Sequence, residues 1–258
     1  MLKIGVAGVS GRMGNTIATL AAKTAGVKLA LLTERAGHEL IGKELFGIKV
    51  TDKLSKGVAG IDVYIDFTVP TATLSALKIM TEAKKAYVIG TTGFKPNELA
   101  QIKTAAKIIP MVLSSNYSIG VNVMWKLVKE ATKIMKQDYD IDIVEAHHRM
   151  KKDAPSGTAM TTAKIIIDEK GIDFEKNVIF GRDGRDNERP RDQVGILAVR
   201  TGGIVGEHTV IYGSMEDKLE ISHTAFSRET FAAGALKAAK FVKGKTAKIY
   251  SMTEVLGL

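Results

Sequence analysis

The run Gly8-Val9-Ser10-Gly11-Arg12-Met13-Gly14, set directly behind the apolar stretch Leu2–Ala7, limits this chain more than any other feature. A short uninterrupted apolar run reads as a strand buried on both faces. Residues 12–25 then carry apolar positions at helical spacing. Glycines spaced G-x-x-G-x-x-G between a strand and a helix serve a tight turn and a close approach of backbone to a pyrophosphate. The helix behind them offers free N–H groups and the positive end of its dipole to the phosphates. The acid expected about 20 residues further on is Glu34, at the end of a second strand over residues 28–33. A carboxylate there accepts ribose hydroxyls, whereas the adjacent Arg35 suits a 2′-phosphate. The pair points to NADH, NADPH or both as cofactor; the plainer alternative is a solvated ion pair.

The alternation continues with strands at residues 63–67, Ala86–Ile89 and 111–114, and helices at 71–84 and 97–106. Buried strands alternating with helices imply parallel pairing, so the first half is expected to be α/β, a doubly wound Rossmann domain. Two strand ends carry polar turns, Gly90-Thr91-Thr92-Gly93 and Ser114-Ser115-Asn116-Tyr117. Open parallel sheets bind ligands beyond the carboxyl ends of their strands, which makes both turns cofactor-site candidates. Near Ile119 the pattern changes to a helix over 121–135, a strand over 141–145, a helix over 156–169 and a polar loop over 181–193. Strands at 196–199, 208–212 and 219–222 follow, then a helix over 228–240 with Ser227 as its cap. One helix feeding several strands suggests a smaller α+β domain with a mixed sheet.

With 258 residues the chain suits one large domain or two modest ones. Cysteine is absent, which excludes disulfides, thiolate metal sites and cysteine nucleophiles and fits a reducing compartment. The start MLKIGVAG lacks the basic and apolar regions of a signal peptide, and no apolar run approaches a membrane span of roughly 20 residues. A soluble protein is expected, with no membrane partner. The net charge is +9, but its lysines are scattered. Neither a helix-turn-helix nor a basic stripe supports a nucleic-acid partner, so small anions are the better match for that charge.

The densest chemistry lies in Glu145-Ala146-His147-His148-Arg149-Met150-Lys151-Lys152-Asp153-Ala154-Pro155-Ser156-Gly157-Thr158. Cations this close repel one another unless an anion sits among them; a solvated basic turn is the alternative. Pro155-Ser156-Gly157-Thr158 opens a helix, whose first N–H groups, with two hydroxyls, make a carboxylate site. Asp153 or Ser156 would cap it. His147 and His148 are adjacent in extended chain and point to opposite faces, which implies different roles. No third ligand stands at suitable spacing for zinc, so no metal is expected. Histidine titrating near neutrality and a lysine among cations suit acid–base work.

The segment E-A-H-H-R-M-K-K-D-A-P-S-G-T-A resembles that of the 4-hydroxy-tetrahydrodipicolinate reductases, also called dihydrodipicolinate reductases. Agreeing segments are G-x-x-G-R-M-G at Gly8, D-F-T at Asp66, G-T-T-G at Gly90, S-N-Y-S-I-G-V-N at Ser115, R-T-G-G-I-V-G-E-H-T-V at Arg200 and S-H-T-A-F-S-R at Ser222. The resemblance implies an NADH- or NADPH-dependent reduction of a cyclic unsaturated dicarboxylate in diaminopimelate and lysine biosynthesis, in the cytoplasm. It implies a Rossmann domain over residues 1–118 and 225–258, and a mixed-sheet substrate and tetramerisation domain over 119–224. His147 corresponds to the acid–base histidine and Lys151 to the proton donor, with His148, Ser156, Gly157 and Thr158 as substrate contacts. Gly8, Val9, Ser10, Gly11, Arg12, Met13, Glu34, Gly90, Thr91, Thr92, Ser114, Ser115, Asn116 and Tyr117 correspond to cofactor contacts. The family often has a third histidine where this chain has Met150. Rival readings are a dehydrogenase acting on aspartate or homoserine and a nucleotide-sensing DNA-binding regulator; neither accounts for the histidine–lysine cluster.

Overall fold

The computed structural model describes residues 1–185 and 188–258. The strands in chain order are β1 (Leu2–Ala7), β2 (Val27–Thr33), β3 (Glu44–Leu45), β4 (Ile48–Lys49), β5 (Val63–Asp66), β6 (Ala86–Ile89), β7 (Met111–Leu113), β8 (Asp140–His147), β9 (Val178–Ile179), β10 (Val194–Arg200), β11 (Gly206–Gly213), β12 (Lys218–Ala225) and β13 (Ile249–Tyr250). The α-helices are α1 (Arg12–Lys23), α2 (Leu54–Gly57), α3 (Pro70–Glu82), α4 (Pro96–Ala105), α5 (Ile119–Met135), α6 (Gly157–Lys170), α7 (Phe174–Asn177), α8 (Glu229–Val242) and α9 (Met252–Leu256). They form two compact units, one of residues Met1–Ile119 and Arg228–Leu258, the other of Gly120–Ser227.

In the first unit six strands pair in parallel in the order β13-β7-β6-β5-β1-β2. Successive residues of a strand face opposite sides, and here both sides are apolar. Val63 and Ile65 of β5 join the core beneath α1 and α8, and Tyr64 between them joins the core beneath α3 and α4. That is why these strands read as continuous apolar runs. The chain leaves β1 for β2 on one side and reaches β5 on the other, so the strand order reverses at the end of β1. Such a reversal opens a crevice at the carboxyl ends of parallel strands, and the glycine run lies there. Gly8 takes a φ of +60°, a left-handed conformation that suits a residue without Cβ. At Gly14 the need is closeness: a Cβ would lie 2.1 Å from the Gly8 carbonyl oxygen.

The second unit holds a five-stranded mixed sheet in the order β12-β11-β8-β10-β9. β10 runs parallel to β8 and β9, while β11 is antiparallel to β8 and β12. α5 and α6 cover one face, packing on Ile141, Ile143, Val194, Ile196, Val210 and Tyr212. No helix among the described residues is long and apolar enough to cross a membrane.

The α/β class with a parallel sheet and a separate mixed sheet agrees with the sequence reading. The short elements β3, β4, β9, β13, α2, α7 and α9 were not anticipated, because two to five residues carry no usable period. α8 starts at Glu229, one residue after the expected start, and Arg228 before it already has helical backbone angles. The segment 181–193 contains no helix or strand among its described residues, and its positions 186 and 187 lie outside them.

Replacing Gly14 by Ala should cost about 1–3 kcal/mol, the usual cost of overpacking, because carbonyl backbone rather than a flexible side chain meets the new methyl. Urea unfolding measures this directly; an unchanged midpoint would contradict the account.

Candidate functional site

In the first unit the loop after β1 is tied to the loop after β2 through one carboxylate. Glu34 Oε2 accepts the Ser10 N–H at 3.0 Å and the Ser10 hydroxyl at 2.7 Å, and Oε1 accepts the Arg35 N–H at 2.9 Å. Burial alone would push the Glu34 pKa up, but these hydrogen bonds outweigh it and hold the group below the usual carboxylate range. Two carboxylate oxygens still have lone pairs for ribose hydroxyls. Gly8, Glu34 and Arg35 line a cleft of about 630 Å³ with Tyr64, Asp66 and Thr68. Asp66, buried, accepts from the Thr68 N–H at 2.8 Å, the Thr68 hydroxyl at 2.6 Å and the Tyr87 hydroxyl at 2.6 Å, which locks the loop behind β5. The Thr33 and Tyr64 hydroxyls are bonded to each other behind the cleft.

The other cofactor candidates stand at neighbouring strand ends but differ in what they present. Gly11 donates to the Gly8 carbonyl at 2.9 Å and closes the turn, and Arg12 is exposed at the start of α1. Val9 is fully buried and meets a ligand only through its backbone, whereas Met13 is partly buried and packs against the core. Gly90, Thr91 and Thr92 follow β6; the Thr91 hydroxyl pairs with that of Thr73 at 2.8 Å. Ser114, Ser115, Asn116 and Tyr117 follow β7, where the Ser114 hydroxyl donates to the Asn116 carbonyl at 2.8 Å. The buried Tyr117 hydroxyl lies 2.9 Å from the Ile89 carbonyl and 3.0 Å from that of Val112, an anchor between β6 and β7.

The second unit is organised around Glu145, whose side chain is completely buried near the end of β8. Parallel pairing sets Arg200 of β10 opposite His147. From there its guanidinium reaches back to Glu145 with two bonds, Nη1 to Oε2 at 2.8 Å and Nη2 to Oε1 at 2.7 Å. His147 Nδ1 lies 2.6 Å from Oε2, and the Ser156 N–H donates to Oε1 at 2.9 Å. Burial would raise the Glu145 pKa, but Arg200, His147 and the Ser156 N–H together hold it below the usual range. Burial also lowers the His147 pKa and exceeds the opposing pull of Glu145, so the imidazole is neutral at pH 7. The two directions agree: the carboxylate balances Arg200, not an imidazolium.

Ser156 caps α6 through its hydroxyl, which accepts the Ala159 N–H at 3.2 Å and lies 2.9 Å from His208 Nε2. Gly157 and Thr158 open the helix. The His208 and His147 rings stand edge to face with centroids 5.1 Å apart. Lys151 Nζ bonds both Asp153 carboxylate oxygens at 2.9 Å, and its backbone N–H closes a turn onto the His148 carbonyl at 3.0 Å. His148 Nδ1 is buried with no hydrogen-bond partner among the described residues, a polar atom a ligand oxygen would satisfy. The side chain of Met150, where the family often has a third histidine, is exposed. The fold thus gathers His147 and the start of α6 on a buried ion pair, with Lys151 close enough to act on the charge of His147. Sequence reasoning assigned no role to Glu145, Arg200 or His208. Arg200 is 55 residues from Glu145 along the chain, and only pairing of β8 with β10 reveals the contact.

Two family models match the chain, "Dihydrodipicolinate reductase, N-terminus" over residues 2–117 and "Dihydrodipicolinate reductase, C-terminus" over residues 120–256. A 4-hydroxy-tetrahydrodipicolinate reductase of Geobacter metallireducens is 44% identical, with 100% of each chain covered. That of Geobacter sulfurreducens is 42% identical over the same extent. Among solved structures, a dipicolinate-bound dihydrodipicolinate reductase from Paenisporosarcina sp. superposes with a TM-score of 0.80, 22% identity and 98% of both chains covered. A probable dehydrogenase from Thermotoga maritima reaches a TM-score of 0.61 at 13% identity, with 98% of this chain and 92% of that one covered, and shares the fold.

Burial pushes the His208 pKa from 6.5 down to about 3, with His147 adding to the effect. The unfolded chain therefore binds one more proton than the folded one below about pH 6.5, and stability falls as acid is added. This group should contribute a slope of about 1.4 kcal/mol per pH unit between roughly pH 6 and pH 4. Urea unfolding across that range should lose this component in His208→Gln. An identical slope in that variant would refute the assignment.

Proposed function

The chain belongs to the dihydrodipicolinate reductase family, and on that premise we propose that it reduces the cyclic unsaturated dicarboxylate derived from 4-hydroxy-tetrahydrodipicolinate to tetrahydrodipicolinate. The reaction uses NADH or NADPH and lies on the route to diaminopimelate and lysine. The observation that carries this reading is Glu145, one buried carboxylate that holds His147 on one oxygen and the Ser156 N–H on the other. The proposed acid–base histidine and the proposed carboxylate-binding helix start are thereby held in one geometry.

In this reading the first unit binds the dinucleotide. The left-handed turn at Gly8 and the close packing of Gly14 fit a pyrophosphate against the start of α1. Glu34 takes the ribose hydroxyls of NADH, and Arg35, exposed beside the same cleft, takes the 2′-phosphate of NADPH, so both cofactors are accepted. Val9, Ser10, Gly11, Arg12, Met13, Gly90, Thr91, Thr92, Ser114, Ser115, Asn116 and Tyr117 complete the cofactor site. The second unit binds the substrate.

The reduced nicotinamide supplies the hydride when bound. The chain's own residues orient the ring and handle the proton. Ser156, Gly157 and Thr158 bind one carboxylate at the start of α6, and His148 with its unpartnered Nδ1 meets the other oxygens. Lys151 donates from Nζ the proton that completes the reduction, and Asp153 holds that ammonium in place beforehand. His147, neutral, offers its Nε2 lone pair to the substrate and to proton exchange. Positioning and charge stabilisation supply most of the acceleration.

We further infer a cytoplasmic homotetramer assembled through the second unit. The sheet face turned away from α5 and α6 sets Leu197 opposite Val144 and Val199 opposite Ala146, with Leu197 and Val199 exposed. Exposed apolar side chains paired in this way favour association.

The test is oxidation of NADH and NADPH with substrate generated in situ from pyruvate and aspartate semialdehyde by the preceding synthase. Rapid oxidation that depends on the synthase is expected with both cofactors. Lys151→Ala should lower kcat by roughly 10²–10⁴-fold, the contribution of a positioned acid. Wild-type turnover in that variant would remove Lys151 from the mechanism, and no oxidation by folded wild-type protein would remove the substrate.

A further inference from the structure

We propose that Glu145 is a positioning residue that fixes His147 as the Nδ1–H tautomer, with Arg200 keeping Glu145 from taking the proton, so that His147 presents Nε2 as an acceptor and Lys151 is the proton donor. The proposal rests on the reductase reading for its catalytic consequence but not for its chemistry.

An ionised carboxylate only accepts hydrogen bonds. Glu145 is completely buried and receives both guanidinium N–H groups of Arg200 at 2.7 and 2.8 Å and the Ser156 N–H at 2.9 Å. Four donors, counting His147, surround it, so a proton on either oxygen would set donor against donor. His147 Nδ1 approaches Oε2 to 2.6 Å, a distance that requires one hydrogen, carried by the imidazole. A neutral imidazole with hydrogen on Nδ1 has its lone pair on Nε2. That nitrogen faces Gly206, where a Cβ would approach it to 3.1 Å, so a side chain at that position would crowd the acceptor.

Burial of the ring is what favours the neutral form. Glu145 on β8 favours an imidazolium, while Lys151 in the following loop and Arg200 on β10 oppose it more weakly. His208 on β11 packs edge-on against the ring and is itself buried. Burial outweighs the pull of Glu145, with Lys151 and Arg200 adding to it, so little holds a second proton on His147. The division of labour follows: a ring that accepts cannot also donate, and Lys151 is the nearby group that carries protons. Arg200 also ties the loop to this arrangement, since Nη2 donates at 2.7 Å to the carbonyl of Asp153, whose carboxylate holds Lys151.

The experiment is ¹⁵N magic-angle-spinning spectroscopy of the whole protein labelled at histidine, with His147 assigned by difference against His147→Asn. The wild-type spectrum should report a protonated Nδ1 and a bare Nε2 on His147 near pH 7, whatever the substrate proves to be. A bare Nδ1, or an imidazolium, would overturn the proposal. In Glu145→Gln the tautomer should become mixed, because the amide can donate as well as accept. That variant should lose about 10²–10⁴-fold in kcat, the loss expected when an acid–base group is mis-set. Removing the carboxylate lowers the His147 pKa further, so the acidic limb of its residual kcat–pH profile should move to lower pH. If the single variant does not fold, Glu145→Gln with Arg200→Met removes both charges and should give the same spectrum. An unchanged tautomer together with an unmoved acidic limb would make Glu145 merely structural. A wild-type Nδ1–H tautomer in a protein that fails to oxidise either cofactor would uphold the tautomer and discard the reductase reading.

Discussion

A carboxylate taken wholly out of water sets the terms for the second unit of this protein. An unpaired buried charge costs several kcal/mol, and removing one partner of a buried pair typically costs about 3–5 kcal/mol. Glu145 avoids that cost by drawing donors from three places in the chain: Arg200 on β10, His147 two residues along β8 and the N–H of Ser156 at the head of α6. Each donor is also part of the chemistry or adjoins it. The same contacts that make the charge tolerable therefore position the groups that act. The parallel register of β8 and β10 is the precondition, because it sets Arg200 opposite His147.

The first unit manages charge differently. Its cleft is built from backbone turns and one partly buried carboxylate, Glu34, whose oxygens are occupied by Ser10 and the Arg35 N–H. The glycine loop and the acid after β2 are thus one structure. Behind them, the Tyr87–Asp66–Thr68 and Thr33–Tyr64 hydrogen bonds give a buried polar layer its partners. Buried polar groups that are satisfied rigidify a site, and unsatisfied ones weaken it. The adenosine end of a dinucleotide site gains from the former.

What the sequence makes legible follows from how far along the chain a signal reaches. The glycine run, the strand ends and the histidine–lysine segment are local patterns, and the fold places them where local reasoning does. Arg200 was legible only as part of a matching segment, because its partner lies 55 residues away and no local period encodes the contact. Side-chain direction was also out of reach. Val9 and Met13 belong to the glycine loop but turn into the core, and the Tyr117 hydroxyl anchors β6 to β7. The strand β13 escaped notice because two residues have no pattern; it joins the sheet through backbone pairing with β7.

The central claim is that Glu145 acts on the reaction through His147. A double-mutant cycle on kcat with Glu145→Gln and His147→Asn tests it most directly, since residues that act as a unit do not lose activity additively. The account predicts that the double variant turns over within about threefold of the slower single variant. Losses that multiply would contradict it and make the carboxylate and the imidazole independent contributors.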